Sequence, residues 1–194
     1  IRMGEYSVQG LQEAMQHINT YDKKHVNIAT QIEEAINSLD QKTTEYLVSI
    51  SKQSLSGHDS KVHNTLLENI RDIERIGDHV ENLIELTEFK ENNGAELSAE
   101  AMQELNDMLE LVVETVSLAI QSLDKLDVEA ANQALANEDQ IDEMERKLRK
   151  HHIKRLNDGT CTGSAGVIFV DLISNLERVG DHAANIAESV INLK

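Results

Sequence analysis

The run IERIGDHVENL at residues 73–83 returns as LERVGDHAANI at residues 176–186. Glu, Arg, Gly, Asp, His and Asn recur at the same places, at an offset of 103. Two copies at that separation are too few and too long for a stacked solenoid, whose units run to a few tens of residues. The pattern instead predicts a duplicated half, with repeat one over 1–92 and repeat two over 93–194. The whole of 1–194 is then a single domain.

Composition decides what each half is made of. The 194 residues contain no proline and only 3% aromatics, whereas a strand-rich chain of this length needs β-branched and aromatic residues and turn prolines. Leu, Ala, Glu, Gln, Met and Lys dominate, and all are good helix formers. The expected fold is all-α. A net charge of -17 repels phosphate backbones, which excludes nucleic acid as a partner and suits a cation. The one cysteine, Cys161, sits in the loop-like run NDGTCTGSAG, so no disulfide framework exists within the chain and a cytoplasmic, reducing setting fits. No apolar run has the length of a transmembrane helix. The start Ile-Arg-Met suggests a fragment of something larger.

Apolar spacing places the helices. Met102, Leu105, Met108, Leu109, Val112, Val113, Val116, Ala119, Ile120 and Leu123 follow a three-and-four rhythm over roughly 98–125, with Ser98 as N-cap. Asp127 caps the next helix, through Val128, Ala131, Leu135, Ile141 and Leu148, which fades at Asn157-Asp158-Gly159. The second motif helix spans about 166–192. The first half repeats the plan, with helices at 5–24 and 27–54, a break at Ser56-Gly57-His58-Asp59, and the first motif helix to about Lys90. Glu91-Asn92-Asn93-Gly94 is the expected hinge. Two tandem antiparallel three-helix bundles result.

Within the first motif, Ile73, Ile76, Gly77, Val80, Leu83 and Ile84 form a stripe, and the glycine permits close approach of a neighbouring helix. Glu74 and Asp78 stack on one flank with Asn82 a turn further on; Glu177, Asp181 and Asn185 repeat this. Like charges at i, i+4 destabilise an isolated helix by a few tenths of a kcal/mol, so the arrangement asks for a cation or for pairing with Arg75 and Arg178. In the preceding helix, ANEDQID puts Glu138, Asp139 and Asp142 along the seam defined by Val128, Ala131 and Leu135. Buried unpaired carboxylates are costly. Antiparallel packing would bring Glu138 and Asp142 opposite Glu177 and Asp181. Oxygen ligands without cysteine point to magnesium, calcium, manganese or iron rather than structural zinc. His79 and His182 fall on the far side of the helix and read as surface or capping residues, and His151-His152 as partners of a helix dipole.

The duplicated three-helix plan, the ERIGDH and ERVGDH repeats and the EDQID segment together resemble the PhoU family of phosphate uptake regulators. The resemblance covers nearly the whole chain. It implies two three-helix bundles carrying metal clusters, often multinuclear and of iron or zinc, on these carboxylates. Carried over, the second-half site comprises Glu138, Asp139, Asp142, Glu177 and Asp181. The first half keeps Glu74 and Asp78 and offers Asp40 for Asp139, while Leu39 and Thr43 stand for Glu138 and Asp142.

The resemblance implies a non-enzymatic regulator of phosphate transport, binding iron, zinc, manganese or magnesium. Its partners would be a membrane phosphate transporter, in cis or in trans, a sensor kinase and a second copy of itself, at the inner face of the plasma membrane. The abrupt start favours the PhoU-like tail of a sodium/phosphate cotransporter; the alternative is a free-standing regulator acting with a phosphate ABC transporter. A di-iron bundle enzyme would need Glu-x-x-His on two helices, and no such pattern occurs. A helical adaptor whose acids form only salt bridges is the third reading.

Overall fold

The computed structural model describes residues 1–52 and 54–193. Residue 53, in the second expected helix, and residue 194 lie outside the described residues. Six helices run through what is described: α1 Arg2–Thr20, α2 Lys23–Ser51, α3 Gly57–Asn92, α4 Ala99–Lys125, α5 Val128–Asn157 and α6 Gly163–Leu193. None is long and apolar enough to cross a membrane.

Caps set the boundaries. Asp22 accepts from the Lys24 N–H at 2.9 Å, and Tyr21 before it turns left-handed, with φ +55°. The first helix therefore stops at Thr20 rather than at 24, and the second starts at Lys23 rather than at 27. Asp127 caps α5 through the Glu129 and Ala130 N–H groups, again after a left-handed residue, Leu126. Ser56 accepts from Asp59, so Gly57 to Asp59 are the first turn of α3 and not a break. Ser98 caps α4 as expected, accepting from Ala101 at 3.1 Å; a serine cap is worth about 1 kcal/mol. Thr162 Oγ1 accepts from Ala165, which extends α6 back to Gly163. Gly94, at φ +58°, turns the chain from α3 toward α4, at the expected hinge.

The packing is more than two bundles side by side. α1 packs on α2 and α3, and α4 on α5 and α6, which makes the two halves. In addition α1 packs on α4, and α3 on α6. Four helices thus form the middle, with α2 and α5 laid on opposite flanks. The middle carries most of the core: Leu105, Met108, Leu109, Val112 and Val116 of α4, and Phe169, Ile173, Leu176 and Val179 of α6, are completely buried. Burying a Leu or Phe side chain contributes about 1.5–3 kcal/mol, so this shared core holds the halves together. Each motif helix, α3 or α6, therefore faces the other half on one side and an outer helix on the other.

Candidate metal centre

The glycine of each motif sits against its outer helix. A Cβ on Gly180 would meet Ile141 at 3.3 Å, and one on Gly77 would meet Ile36 at 3.3 Å, closer than ordinary contact. Helix α5 therefore lies directly over the Gly180 turn. Glu138 and Asp142, which bracket Ile141, are carried to Asp181, next to Gly180 in the chain. Carboxylate oxygens of Glu138, Asp142 and Asp181 all lie within 4.8 Å of one another. At such range two full charges repel by about 1 kcal/mol in water, and more where burial thins the solvent.

The electrostatics follow from this crowding. Burial pushes the Glu138 carboxyl above its ordinary value, helped by the charges of Asp142 and Asp181. Burial likewise raises Glu177, one turn back, with Asp181 and Asp142 adding to it. Asp181 is raised by burial and then by Asp142. Of the four acids expected opposite one another, Glu138, Asp142 and Asp181 come together, and Glu177 feels the charges of Asp181 and Asp142 from outside that group. Arg146 pairs with Asp142 at 3.2 Å, but that arginine is largely exposed and such pairs contribute about 0–1 kcal/mol. Asp139 is exposed and lies outside the group of three. It adds only a minor charge effect on Glu138. Glu145, which the sequence reading left out, adds to the negative field at Glu177.

The register expected for the first half is not the one observed. The left-handed residues Tyr21 and Leu126, the caps Asp22 and Asp127, and the contacts Ile36 and Ile141 are each 105 positions apart. The motif glycines are 103 apart. The counterparts of Glu138 and Asp142 are therefore Glu33 and Asn37, and Leu39 and Thr43 instead line a separate apolar groove. Burial raises the Glu33 carboxyl, followed by the charge of Glu81, with Asp78 also contributing. Glu74 is raised by burial and by Asp78, with smaller contributions from Asp40 and Glu33. Asp40 does reach this cluster, but as the counterpart of Glu145 rather than of Asp139. Two internal partners quiet the first half. The Asn37 amide donates to Glu33, and Arg75 lies 3.2 Å from Asp78 and 3.8 Å from Glu74.

The motif histidines and asparagines serve the other face of the motif helices. His79 Nδ1 lies 2.8 Å from Asn175 Oδ1, and His182 Nδ1 lies 2.9 Å from Asp72. The two imidazoles stack with centroids 5.7 Å apart, and Asn185 donates to Asp72 at 3.2 Å. Neither histidine is a surface or capping group: together they tie α3 to α6 across the halves. Asn82 lines a groove facing α6 and does not continue the acid flank. The available signal was the residue seven positions before each motif histidine, Asp72 in one copy and Asn175 in the other. His151 pairs with Glu104 on α4, and His152 is buried against Phe169.

Known proteins share this plan. A family model described as PhoU domain matches residues 1–87 and 105–190. A phosphate-specific transport system accessory protein PhoU homolog 1 from Thermotoga maritima is 33% identical over 130 residues, 67% of this chain and 55% of that protein. This match therefore covers little more than half of that relative. A PhoU homolog from Xylella fastidiosa is 28% identical over 196 residues, 100% of this chain and 80% of that protein. Among solved structures, PhoU from Pseudomonas aeruginosa superposes with a TM-score of 0.91 at 22% identity, over 99% of this chain and 91% of that one. The PhoU regulatory protein of Streptococcus pneumoniae gives 0.85 at 21%, over 98% and 89%. The fold is the PhoU fold, and with the motifs matched in both halves the chain belongs to the PhoU domain family.

Proposed function

We propose that this chain regulates phosphate transport as an accessory protein, with a cation held on the acids between α5 and α6. The transport role is supported by the family and by relatives named as accessory proteins of phosphate-specific transport systems. That naming favours a free-standing regulator over the tail of a sodium/phosphate cotransporter. The partners in this reading are a membrane phosphate transporter and a sensor kinase, met at the inner face of the membrane, and the chain acts by binding rather than by catalysis.

One observation carries the metal reading: the carboxylates of Glu138, Asp142 and Asp181 within 4.8 Å. Three acids from two helices, two half-buried and Asp181 exposed, with only Arg146 as a direct ion-pair partner among the described residues, fit a divalent cation. All donors are oxygen, which suits magnesium, manganese or iron(II) better than zinc. Glu138, Asp142 and Asp181 would hold the ion, with Glu177 and Glu145 completing or orienting the set. The cation would neutralise the cluster and lock α5 onto α6. The Glu33, Glu74, Asp78 and Asp40 set is the weaker second candidate.

Elemental analysis of the chain purified without added metal, beside Glu177→Gln/Asp181→Asn, tests the site. Metal that is present in the parent and lost in the variant supports it. An absence of binding even after incubation with iron(II), manganese, zinc and magnesium leaves the acids as structural charge. The transport role is tested separately, by expression in a bacterium lacking its own PhoU. Phosphate accumulation restored to the parent level supports the role, and unchanged accumulation with the protein present overturns it.

A further inference from the structure

Where α3 and α6 cross, a groove opens at each end of the crossing, and the duplication makes the two grooves counterparts. Asn82 and Glu85 in one correspond to Asn185 and Glu188 in the other, at the motif offset. Asp171 in the first likewise matches Glu68 in the second. The floors differ. Leu86 and Phe89 line the first groove where Ser189 and Asn192 line the second.

Phe89 is one of only two phenylalanines in the chain, and it is 56% exposed. Its ring lies in a groove of about 530 Å³ whose acids, Glu85 and Asp171, form no ion pair among the described residues. One cation bonds to the lining, Arg149, which donates to Ser174 at 3.0 Å and is paired with Glu145. An exposed aromatic ring and a leucine beside a carboxylate on each helix are complementary to a group that is flat, positively charged and carried on an apolar stem. Guanidinium has those properties: it stacks on aromatic faces and meets carboxylates in a fork, whereas ammonium is compact and strongly hydrated. The same acids repel lipid phosphates and nucleic acids.

We propose that this groove docks an arginine-bearing segment of a partner protein, with the guanidinium on Phe89 between Glu85 and Asp171 and the stem along Leu86. None of Glu138, Asp142 and Asp181 lines this groove, so the proposal is tested with metal removed and apart from the metal reading.

The test is an NMR titration of the isotope-labelled full chain in EDTA with acetyl-Arg-Leu-Arg-Leu-amide, and with the lysine version of the same peptide. Saturable shifts should centre on Asn82, Leu86, Phe89 and the Asn175 amide, and the lysine peptide should bind several-fold more weakly. Phe89→Asn, which installs the residue of the second groove at an exposed position, should weaken the arginine peptide by about tenfold. The pair Ser189→Leu/Asn192→Phe should create a second set of shifts around Glu68 and Glu188. Shifts spread evenly over every acidic face, an arginine peptide indifferent to Phe89→Asn, or no saturable shift would each overturn the proposal.

Discussion

The acid cluster between α5 and α6 and its counterpart between α2 and α3 rest on one backbone plan and differ in how far each neutralises itself. Both have the tight glycine contact, to Ile141 or to Ile36, and both have raised carboxyls. In the first half Asn37 replaces Asp142 and its amide caps Glu33, while Arg75 serves Glu74 and Asp78 together. In the second half the matching arginine, Arg178, forms no ion pair with either motif acid among the described residues, and three carboxylates converge. The two halves share a frame, and the Asn37 amide together with the Arg75 pairing offsets the acids of the first. The other copy is left with a demand for positive charge.

The largest effect should come from supplying that charge. Manganese at a hundred times its dissociation constant would stabilise the fold by about 2.7 kcal/mol. For a chain of this size that raises Tm by roughly 5–10 °C. Calorimetry should show the rise in the parent and in Glu33→Gln, and lose it in Glu138→Gln/Asp142→Asn. In EDTA the sign reverses: the double variant should be the more stable protein, because it removes repulsion with no ion to offset it. An equal loss of the metal effect from Glu33→Gln would break the distinction between the halves.

A second difference between the halves concerns where an imidazole is stored. In the second half His152 of α5 lies in the space left by Gly166 of α6; in the first, Leu47 of α2 faces His63 of α3, whose Nε2 lies 2.8 Å from the Leu47 carbonyl oxygen. The two pairs correspond under the observed offsets, with the ring moved from the motif helix to the outer one. Gly166→Ala would drive a methyl group into the His152 ring, which is buried and tilted at 39° against Phe169. Overpacking of that kind costs about 1–3 kcal/mol, against about 1 kcal/mol gained in helix propensity. A fall in urea midpoint that His152→Leu restores would establish the exchange. A fall that persists in the double variant would place the strain elsewhere.

These pairs also show what the sequence made legible. The duplication could be read from a motif repeated whole and the all-helical class from composition, and the α5/α6 acids from spacing within each helix: Glu138 and Asp142 lie beside Ile141, and Glu177 and Asp181 flank a turn that ends in Gly180. The first-half site could not be read by the same offset. The offset is 105 for α1 and α2 and 103 for α3, so the connection between α2 and α3 shifts the register by two. Matching EDQID to the segment around Asp40 then selected Leu39 and Thr43 in place of Glu33 and Asn37. The α1/α2 boundary was missed because it is written in a left-handed residue and a cap, not in apolar rhythm. The histidine pair was missed because its partners lie about a hundred positions away, on the other motif helix, and no local pattern says that the two motif helices face each other.

A smaller effect should follow from making the first cluster resemble the second. Asn37→Asp removes the amide that caps Glu33 and adds the missing carboxylate. Metal affinity in the first half should rise by on the order of tenfold, because ligand charge count is a main determinant of affinity for hard cations. The metal-to-protein ratio at fixed free manganese reads this directly. An unchanged ratio would mean that Arg75, and not Asn37, is what keeps the first half self-sufficient, and Arg75→Gln should then succeed where Asn37→Asp failed.

The smallest effect is a dependence on pH carried by His152 of the second half. Burial holds the His152 pKa below its ordinary value of 6.5, and the neighbouring positive charge of Arg155 lowers it further. The folded chain therefore keeps this imidazole neutral at a pH where the unfolded chain already takes up the proton. The stability that depends on neutral His152 is complete above 6.5 and is lost as pH falls through the depressed folded value. Leu47, the counterpart in the first half, does not titrate. Urea unfolding between about pH 7.5 and 5.5 should therefore give a steeper loss of stability for the parent than for His152→Leu, with the curves converging as the solution is acidified. Parallel curves would show that the imidazole titrates alike in the folded and unfolded chains, and that the difference between the two halves at this position is one of shape alone.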